Sequence, residues 1–263
     1  MVEEREREIG GLRILDREAA PQGKTPVLYL HGVPTDGDDW LPFLERTGGY
    51  APDLPGFGRS DKPPHFNYSI GGYTDFLRAY TEEHGLERLS LVMHDFGGLG
   101  LALAQESPER IDRIVLIDAV PLLPGFRWHP AARLWRTPLA GELAMGFTFK
   151  WTWRRAGIPA ELVDRAWPRF DHGTQRAILK LYRASPSHVL EAAGKRLGEI
   201  SAPALIVWGA GDPYVSASFA HAYAERLGGE SRVELVEDGG HWPWLDRPEI
   251  VDLVAEQLLQ PRP

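Results

Sequence analysis

The chain has 263 residues, 25% of them charged and 43% hydrophobic, with a formal net charge of −8 and no cysteine. The length suits one large α/β domain or a core with an inserted subdomain, and the composition is that of a folded protein. The negative charge disfavours nucleic acid and anionic membrane as partners, and the missing cysteines exclude disulfides, thiolate catalysis and zinc–thiolate sites.

Residues 1–24 read as a charged lead-in with an edge strand near Leu12–Leu15. The opening MVEEREREIGG has no apolar segment, so no signal peptide is expected, and no apolar run is long enough for a bilayer. The expectation is a cytoplasmic protein. Pro26–His31 is a continuous apolar run that suits a strand buried on both faces, ended by the turn-forming HGVPTDG. Gly49–Asp53 predicts a second short strand, closed by LPGFGRSDKPP. Helical spacing over Ser69–His84 puts Tyr73, Phe76, Leu77 and Tyr80 on one side. Leu89–His94 reads as a buried strand, followed by a turn carrying Asp95 and a glycine-opened helix. Further strands are expected at Ile111–Val120, Pro203–Gly209 and Arg232–Val236, with a closing helix at Ile250–Leu259. Strands alternating with helices imply a mostly parallel sheet flanked by helices, with right-handed crossovers.

Residues 121–200 break the alternation: they carry no clear strand and look helical throughout. Trp128, Trp135, Trp151, Trp153 and Trp167, five of the nine tryptophans, fall there. The expected domains are a core of residues 1–120 and 201–263 and a helical cap, or lid, of residues 121–200. Each tryptophan taken singly is expected to pack the lid's own core; together they suggest an aromatic-walled pocket between lid and sheet. Trp40, past the HGVP turn, is a candidate substrate-binding residue from the core side, with plain packing as the equal alternative.

Three candidate catalytic residues follow strands, where ligands sit in open α/β sheets: Asp95, Asp212 in WGAGDPYV, and His241 in GGHWPWLDRPE. Taken alone, each aspartate could be a helix cap and His241 a structural histidine. His31 and His94 are read as bracing loops. Asp118 is the alternative acid. A dinucleotide loop at Gly98–Gly100 is rejected, because the third glycine is missing and Asp95 would repel a pyrophosphate.

HGVPT, DLPGFGRSDKP, VMHDFGG, WGAGD and GHWPWLDRPE, in this order, resemble the α/β-hydrolase superfamily. The aspartate at the nucleophile elbow resembles its epoxide hydrolase and haloalkane dehalogenase branch. The resemblance implies an α/β-hydrolase fold with an inserted lid, a nucleophile–acid–histidine set of Asp95, Asp212 and His241, and an oxyanion hole of the Val33 and Phe96 backbone N–H groups. One departure is Met93, where the elbow usually has a small residue, and which is expected to crowd the turn.

An aspartate needs no base to ionise it at neutral pH. It can attack a saturated carbon and form an alkyl–enzyme ester, which water activated by His241 then cleaves. The expected reactants are water and a small apolar electrophile, with no cofactor and no metal. Dehalogenases of this branch typically hold the halide with a tryptophan after the nucleophile and a second donor, often an asparagine after the HG of the oxyanion loop. Here those positions are Phe96 and Val33, and neither side chain has an N–H. Epoxide hydrolases use lid tyrosines instead, and Tyr182, in LKLYRASP, resembles one of them. The other has no match among Phe147–Trp153, with His172 or His188 as substitutes. An epoxide is therefore expected ahead of a haloalkane. A degenerate relative that only binds a small ligand is the alternative of another class.

Overall fold

The computed structural model describes residues 1–260. Eight strands form one sheet in the order β1-β2-β4-β3-β5-β6-β7-β8. They are β1 (Glu3–Ile9), β2 (Leu12–Ala19), β3 (Val27–Leu30), β4 (Gly49–Pro52), β5 (Leu89–His94), β6 (Ile111–Ile117), β7 (Ala204–Gly209) and β8 (Ser231–Val236). From β4 to β8 all pairings are parallel; β1 and β2 form an antiparallel hairpin joined to β4. The sheet is thus mostly parallel and flanked by helices, as expected.

The first 24 residues depart from expectation. Leu12–Leu15 lies inside β2, which pairs on both sides, and the charged run EEREREI is the true edge strand. Its side chains are mostly exposed, so it contributes no apolar signal. It is held by its ladder to β2 and by cross-strand pairs such as Arg7–Glu18 at 2.6 Å and Arg13–Glu6 at 2.9 Å. A charged edge also resists pairing with another chain.

The central strands are apolar throughout because both sheet faces are covered. Period-two alternation divides each strand between two cores: Leu28 and Leu30 pack on one face, Val27 and Tyr29 on the other. On the core side of the chain the helices are α1 (Leu41–Thr47), α2 (Ile70–Glu83) and α3 (Gly100–Glu106). Ser69 caps α2 by accepting from Gly72 N–H.

Between β6 and β7 the described chain has no strand. It forms α4 (Pro130–Arg136), α5 (Ala140–Gly146), α6 (Lys150–Arg155), α7 (Ala160–Ala166), α8 (His172–Ala184) and α9 (Ser187–Ala193). After β7 come α10 (Ser218–Arg226), α11 (Pro243–Asp246) and α12 (Glu249–Leu259). The tryptophans of the helical segment take different places. Trp153 and Trp167 join a small cluster with Val163 and Phe170, Trp128 enters the main core, and Trp151 is exposed. No described helix is long and apolar enough to cross a membrane.

Charge ties this segment to the loop after β3. Arg165 pairs with Asp39, and Arg169 Nη1 lies 2.5 Å from Asp36 Oδ2 and 2.8 Å from Asp38 Oδ2. Beneath them the fully buried Arg17 bonds Asp38 and Asp53, each at 2.5 Å.

Among the described residues, Trp40 is not part of the wall of the cavity at the strand ends. It is fully buried on the far face of the sheet, stacked on Trp244 with ring centroids 5.6 Å apart. Its large apolar area is satisfied in that aromatic layer with Tyr29 and Phe43, which is a packing role.

Candidate active site

Five strand ends converge. Gly32 and Val33 follow β3, Asp95 follows β5, Asp118 follows β6, Asp212 follows β7 and His241 follows β8. Parallel strands place all these loops at one edge of the sheet.

Asp95 has φ 48°, a left-handed conformation that a non-glycine residue adopts at a cost. The turn is tolerated because its neighbours give way. A Cβ on Gly32 would meet Asp95 Cβ at 2.4 Å, and one on Gly97 would meet the Leu30 carbonyl oxygen at 2.1 Å. Met93 does not block the turn, contrary to expectation. Its side chain is fully buried and lies where Gly100 has no side chain: a Cβ there would stand 2.9 Å from Met93 Sδ. The glycine that opens the helix supplies the room that a small residue at position 93 would otherwise have supplied.

Val33 N–H donates to Asp95 Oδ1 at 2.8 Å, and His241 Nε2 lies 3.5 Å from Asp95 Oδ2. On its other side, His241 Nδ1 donates to Asp212 Oδ2 at 2.7 Å. Asp212 Oδ1 accepts from the backbone N–H groups of Tyr214 at 2.7 Å and Val215 at 3.2 Å. Asp118 does not reach the imidazole with a hydrogen bond. It is fully buried at φ 42° and accepts from Gly209 N–H at 3.0 Å.

Burial alone would neutralise all these groups. For His241 it is outweighed by the charges and hydrogen bonds of Asp212 and Asp95, which hold the ring's pKa well above the ordinary imidazole value. Burial likewise opposes ionisation of Asp95 and Asp212, but the bonds and charge of His241 keep both below the usual carboxylate value. The directions of these shifts favour a charged His241 between two carboxylates.

His31 and His94 are neutral braces. His31 Nδ1 donates to the Gly32 carbonyl at 2.8 Å and Nε2 accepts from Leu54 N–H at 2.9 Å. His94 Nε2 donates to the His241 carbonyl at 2.8 Å, and burial pushes its pKa down to about 3.

Asp95 and His241 open into a cavity of about 230 Å³ with mainly apolar and aromatic walls. Tyr182, in α8, lines it, packed against Phe96 and Trp128 with ring centroids 4.9 and 4.8 Å away. Among the described residues nothing binds its hydroxyl. Burial and the nearby Asp95 charge keep that hydroxyl protonated. Trp128 spends its indole N–H on the Ser185 carbonyl at 2.8 Å. His172 and His188 are exposed and lie outside the cavity.

Sequence reasoning missed two polar residues of the wall, His129 and Tyr214. His129 N-caps α4: its Nδ1 accepts from Ala132 N–H at 3.4 Å, which leaves the proton of the neutral ring on Nε2. A histidine directly before Pro130 at a helix start was the available signal. Tyr214 follows Asp212 by two residues in a strand-end loop, and its hydroxyl donates to the Ala156 carbonyl at 2.7 Å.

Residues 27–252 match the sequence profile of the family described as "Alpha/beta hydrolase family". The chain belongs to the α/β-hydrolase family. Among α/β-hydrolases it is 30% identical to a haloalkane dehalogenase of Mycolicibacterium paratuberculosis over 77% of this chain and 72% of that one. It is 32% identical to a haloalkane dehalogenase of Mycobacterium marinum, over 77% and 73% of the two chains. An uncharacterized hydrolase of Saccharomyces cerevisiae is 26% identical over 88% of each. Among solved structures, haloalkane dehalogenase DbeA of Bradyrhizobium elkani superposes with a TM-score of 0.83 at 25% identity, covering 98% of both chains. The protein is a hydrolase of this family, dehalogenase-like in sequence and fold.

Proposed function

We propose that this hydrolase uses Asp95 as a nucleophile on a small apolar epoxide, forming an alkyl–enzyme ester that water activated by His241 cleaves. The observation that carries the reading is the Asp95 carboxyl group on the floor of an aromatic cavity, with Oδ2 3.5 Å from His241 Nε2. Residues 121–200 act as the cap that closes this cavity, and residues 1–120 and 201–263 as the core.

Asp95 Oδ2 attacks a ring carbon, and the carbon–oxygen bond of the epoxide breaks. Tyr182 donates to the oxygen that leaves the carbon. The protonated His241 gives up the proton that the alkoxide gains. Ester formation removes the Asp95 charge, so the ring loses one of the two anions that held its proton. The neutral imidazole then takes a proton from water as the water oxygen attacks Asp95 Cγ. The oxygen on Cγ becomes negative and is stabilised by the Val33 N–H, with Phe96 N–H as its partner donor. Collapse restores the Asp95 carboxylate and the imidazolium and frees a diol, so that the sum is epoxide plus water. Asp212 orients the ring and stabilises its cation.

A haloalkane is the second reading, favoured by the two mycobacterial relatives. Against it, Trp128 has its N–H engaged and Phe96 offers none; in its favour, Trp242 also lines the cavity and its buried N–H has no partner among the described residues. A styrene-type epoxide and a bromoalkane, incubated separately with the protein, distinguish the two by diol formation or halide release. The covalent step is tested with His241→Gln. An ester on the Asp95 peptide, seen by mass spectrometry, is expected; no adduct from a substrate that the wild type turns over would overturn the mechanism.

A further inference from the structure

We propose that Asp118 is a positioning residue of this site, acting as a neutral carboxylic acid that donates a hydrogen bond to the Asp212 carboxylate. The inference rests on Asp212 being the acid partner of His241, and it adds a second acid behind the first.

Carboxylate oxygens of Asp118 and Asp212 and a ring nitrogen of His241 all lie within 4.8 Å of one another. Asp118 is fully out of water. Two adjacent carboxylates in such a place do not both ionise, because no solvent screens them and the one adjacent cation, the His241 imidazolium, is bonded to Asp212 alone. One proton is therefore held by the pair, and hydrogen-bond counting decides where. Asp212 accepts three N–H groups, from Tyr214, Val215 and His241. Asp118 accepts one, the Gly209 N–H, shared between its oxygens at 3.0 and 3.3 Å. The oxygens with more donors carry the charge better, so Asp212 is the anion and Asp118 keeps the proton. Burial, then the Asp212 charge, push the Asp118 pKa far up, in agreement.

The consequence is a graded relay. A donor behind Asp212 spreads its charge and lowers its basicity, so it grips the imidazolium less tightly. That helps His241 to release its proton once Asp95 is esterified. The left-handed backbone of Asp118, at φ 42°, turns the carboxyl from the end of β6 towards the β7 loop. The charged or titratable groups that face this pair are His241 and, around it, Asp95, His94, His129 and Tyr214.

The test uses the full chain and needs no substrate. Asp118→Asn keeps one donor and one acceptor in place, so the NMR titration of the His241 ring is expected to match the wild type. An ionised Asp118 would instead be a lost negative charge. The His241 titration would then fall by about one unit or more in Asp118→Asn, which would overturn the proposal. Asp118→Ala removes the donor, leaves Asp212 more basic, and is expected to move the His241 titration upward; no movement would again overturn it. Carboxyl labelling with ¹³C at aspartate gives a reading in the wild type itself. A carboxyl carbon in contact with the Gly209 amide is expected in the protonated form at neutral pH, and the ionised form there would overturn the proposal. With a turned-over substrate in hand, Asp118→Asn is expected to keep kcat within about threefold and Asp118→Ala to lose about tenfold or more. An equal loss in both variants would refute the donor role. If His241→Gln yields no ester while the titrations behave as expected, the nucleophile reading fails and the Asp118 proposal stands.

Discussion

The two carboxylate oxygens of Asp95 are held differently: Oδ1 accepts the Val33 N–H at 2.8 Å, whereas Oδ2 has only the longer approach of His241 Nε2 at 3.5 Å. The less tightly held oxygen is the better nucleophile. The tethered one already occupies the place where negative charge would collect when water attacks Cγ.

This asymmetry predicts an isotope result. If water attacks the ester at Asp95 Cγ, turnover in H₂¹⁸O places ¹⁸O in the Asp95 side chain before it reaches product. A single turnover should give unlabelled diol and a labelled Asp95 peptide by mass spectrometry. Label in the product alone would indicate direct hydrolysis and rule the ester out.

Gly32 has a steric task that no side chain can share. A Cβ there would meet Asp95 Cβ at 2.4 Å and Oδ1 at 2.7 Å. Gly32→Ala is expected to displace the Asp95 carboxylate and, with Asp95 as the proposed nucleophile, reduce kcat by about 10²-fold, the scale of an ångström-sized misplacement. Circular dichroism should remain that of the folded chain, and an active Gly32→Ala would contradict the close approach.

The rate of ester hydrolysis should depend on pH in a stated direction. His241 must be neutral to act as base, so the rate rises as the ring loses its proton. In the free protein Asp212 and Asp95 both hold that proton, after outweighing burial. In the ester only Asp212 does. The acid limb of single-turnover ester hydrolysis should therefore lie at lower pH than the His241 titration of the free protein measured by NMR. Coincident values would show that Asp95 charge does not control the base.

The ion pairs between the helical segment and the β3 loop should also respond to pH. Asp39 is fully buried, and burial raises its pKa to about 7 in spite of Arg165. A raised carboxyl pKa contributes stability that is complete below the unfolded value of about 4 and is lost as pH rises towards about 7. Asp39→Asn has no such titration. Its stability relative to the wild type should increase between those two values, as followed by urea unfolding at a series of pH values. A constant difference would mean that Arg165 keeps Asp39 ionised throughout.

Arg169 provides a check without titration. It pairs with Asp36 and Asp38, both buried. Arg169→Ala leaves both with Arg17, and Asp38 also with Arg59 at 3.5 Å, and is expected to cost about 2 kcal/mol, below the usual loss from breaking a buried pair because these cations remain. Thermal or denaturant unfolding measures it.

Much of the core was legible because its signals are local. Apolar runs such as Pro26–His31 and Pro203–Gly209 mark buried parallel strands wherever they occur, and β3 and β7 lie within them. The edge strand EEREREI was hidden because its partner, not its own composition, makes it a strand. Trp40 was undecided for a related reason: a large aromatic past a turn suits a pocket wall and a buried stack equally, and only the position of Trp244 decides. His129 was passed over because nothing in FRWHP says that it faces a cavity also lined by Asp95.

By itself the amino-acid sequence determined the strand–turn–helix around Asp95, the order of Asp95, Asp212 and His241, and the strandless stretch between β6 and β7. Those features follow from periodicity, glycine placement and residue chemistry within a few positions of one another. The tertiary structure alone decided that Asp212 rather than Asp118 bonds His241, that Gly100 makes room for Met93, and which side chains share a cavity with the carboxylate. These are contacts between residues far apart in the chain. Hydrogen bonds of under 3 Å and clashes at single atoms depend on how separate strands and helices are stacked, and that information exists only once the chain has folded.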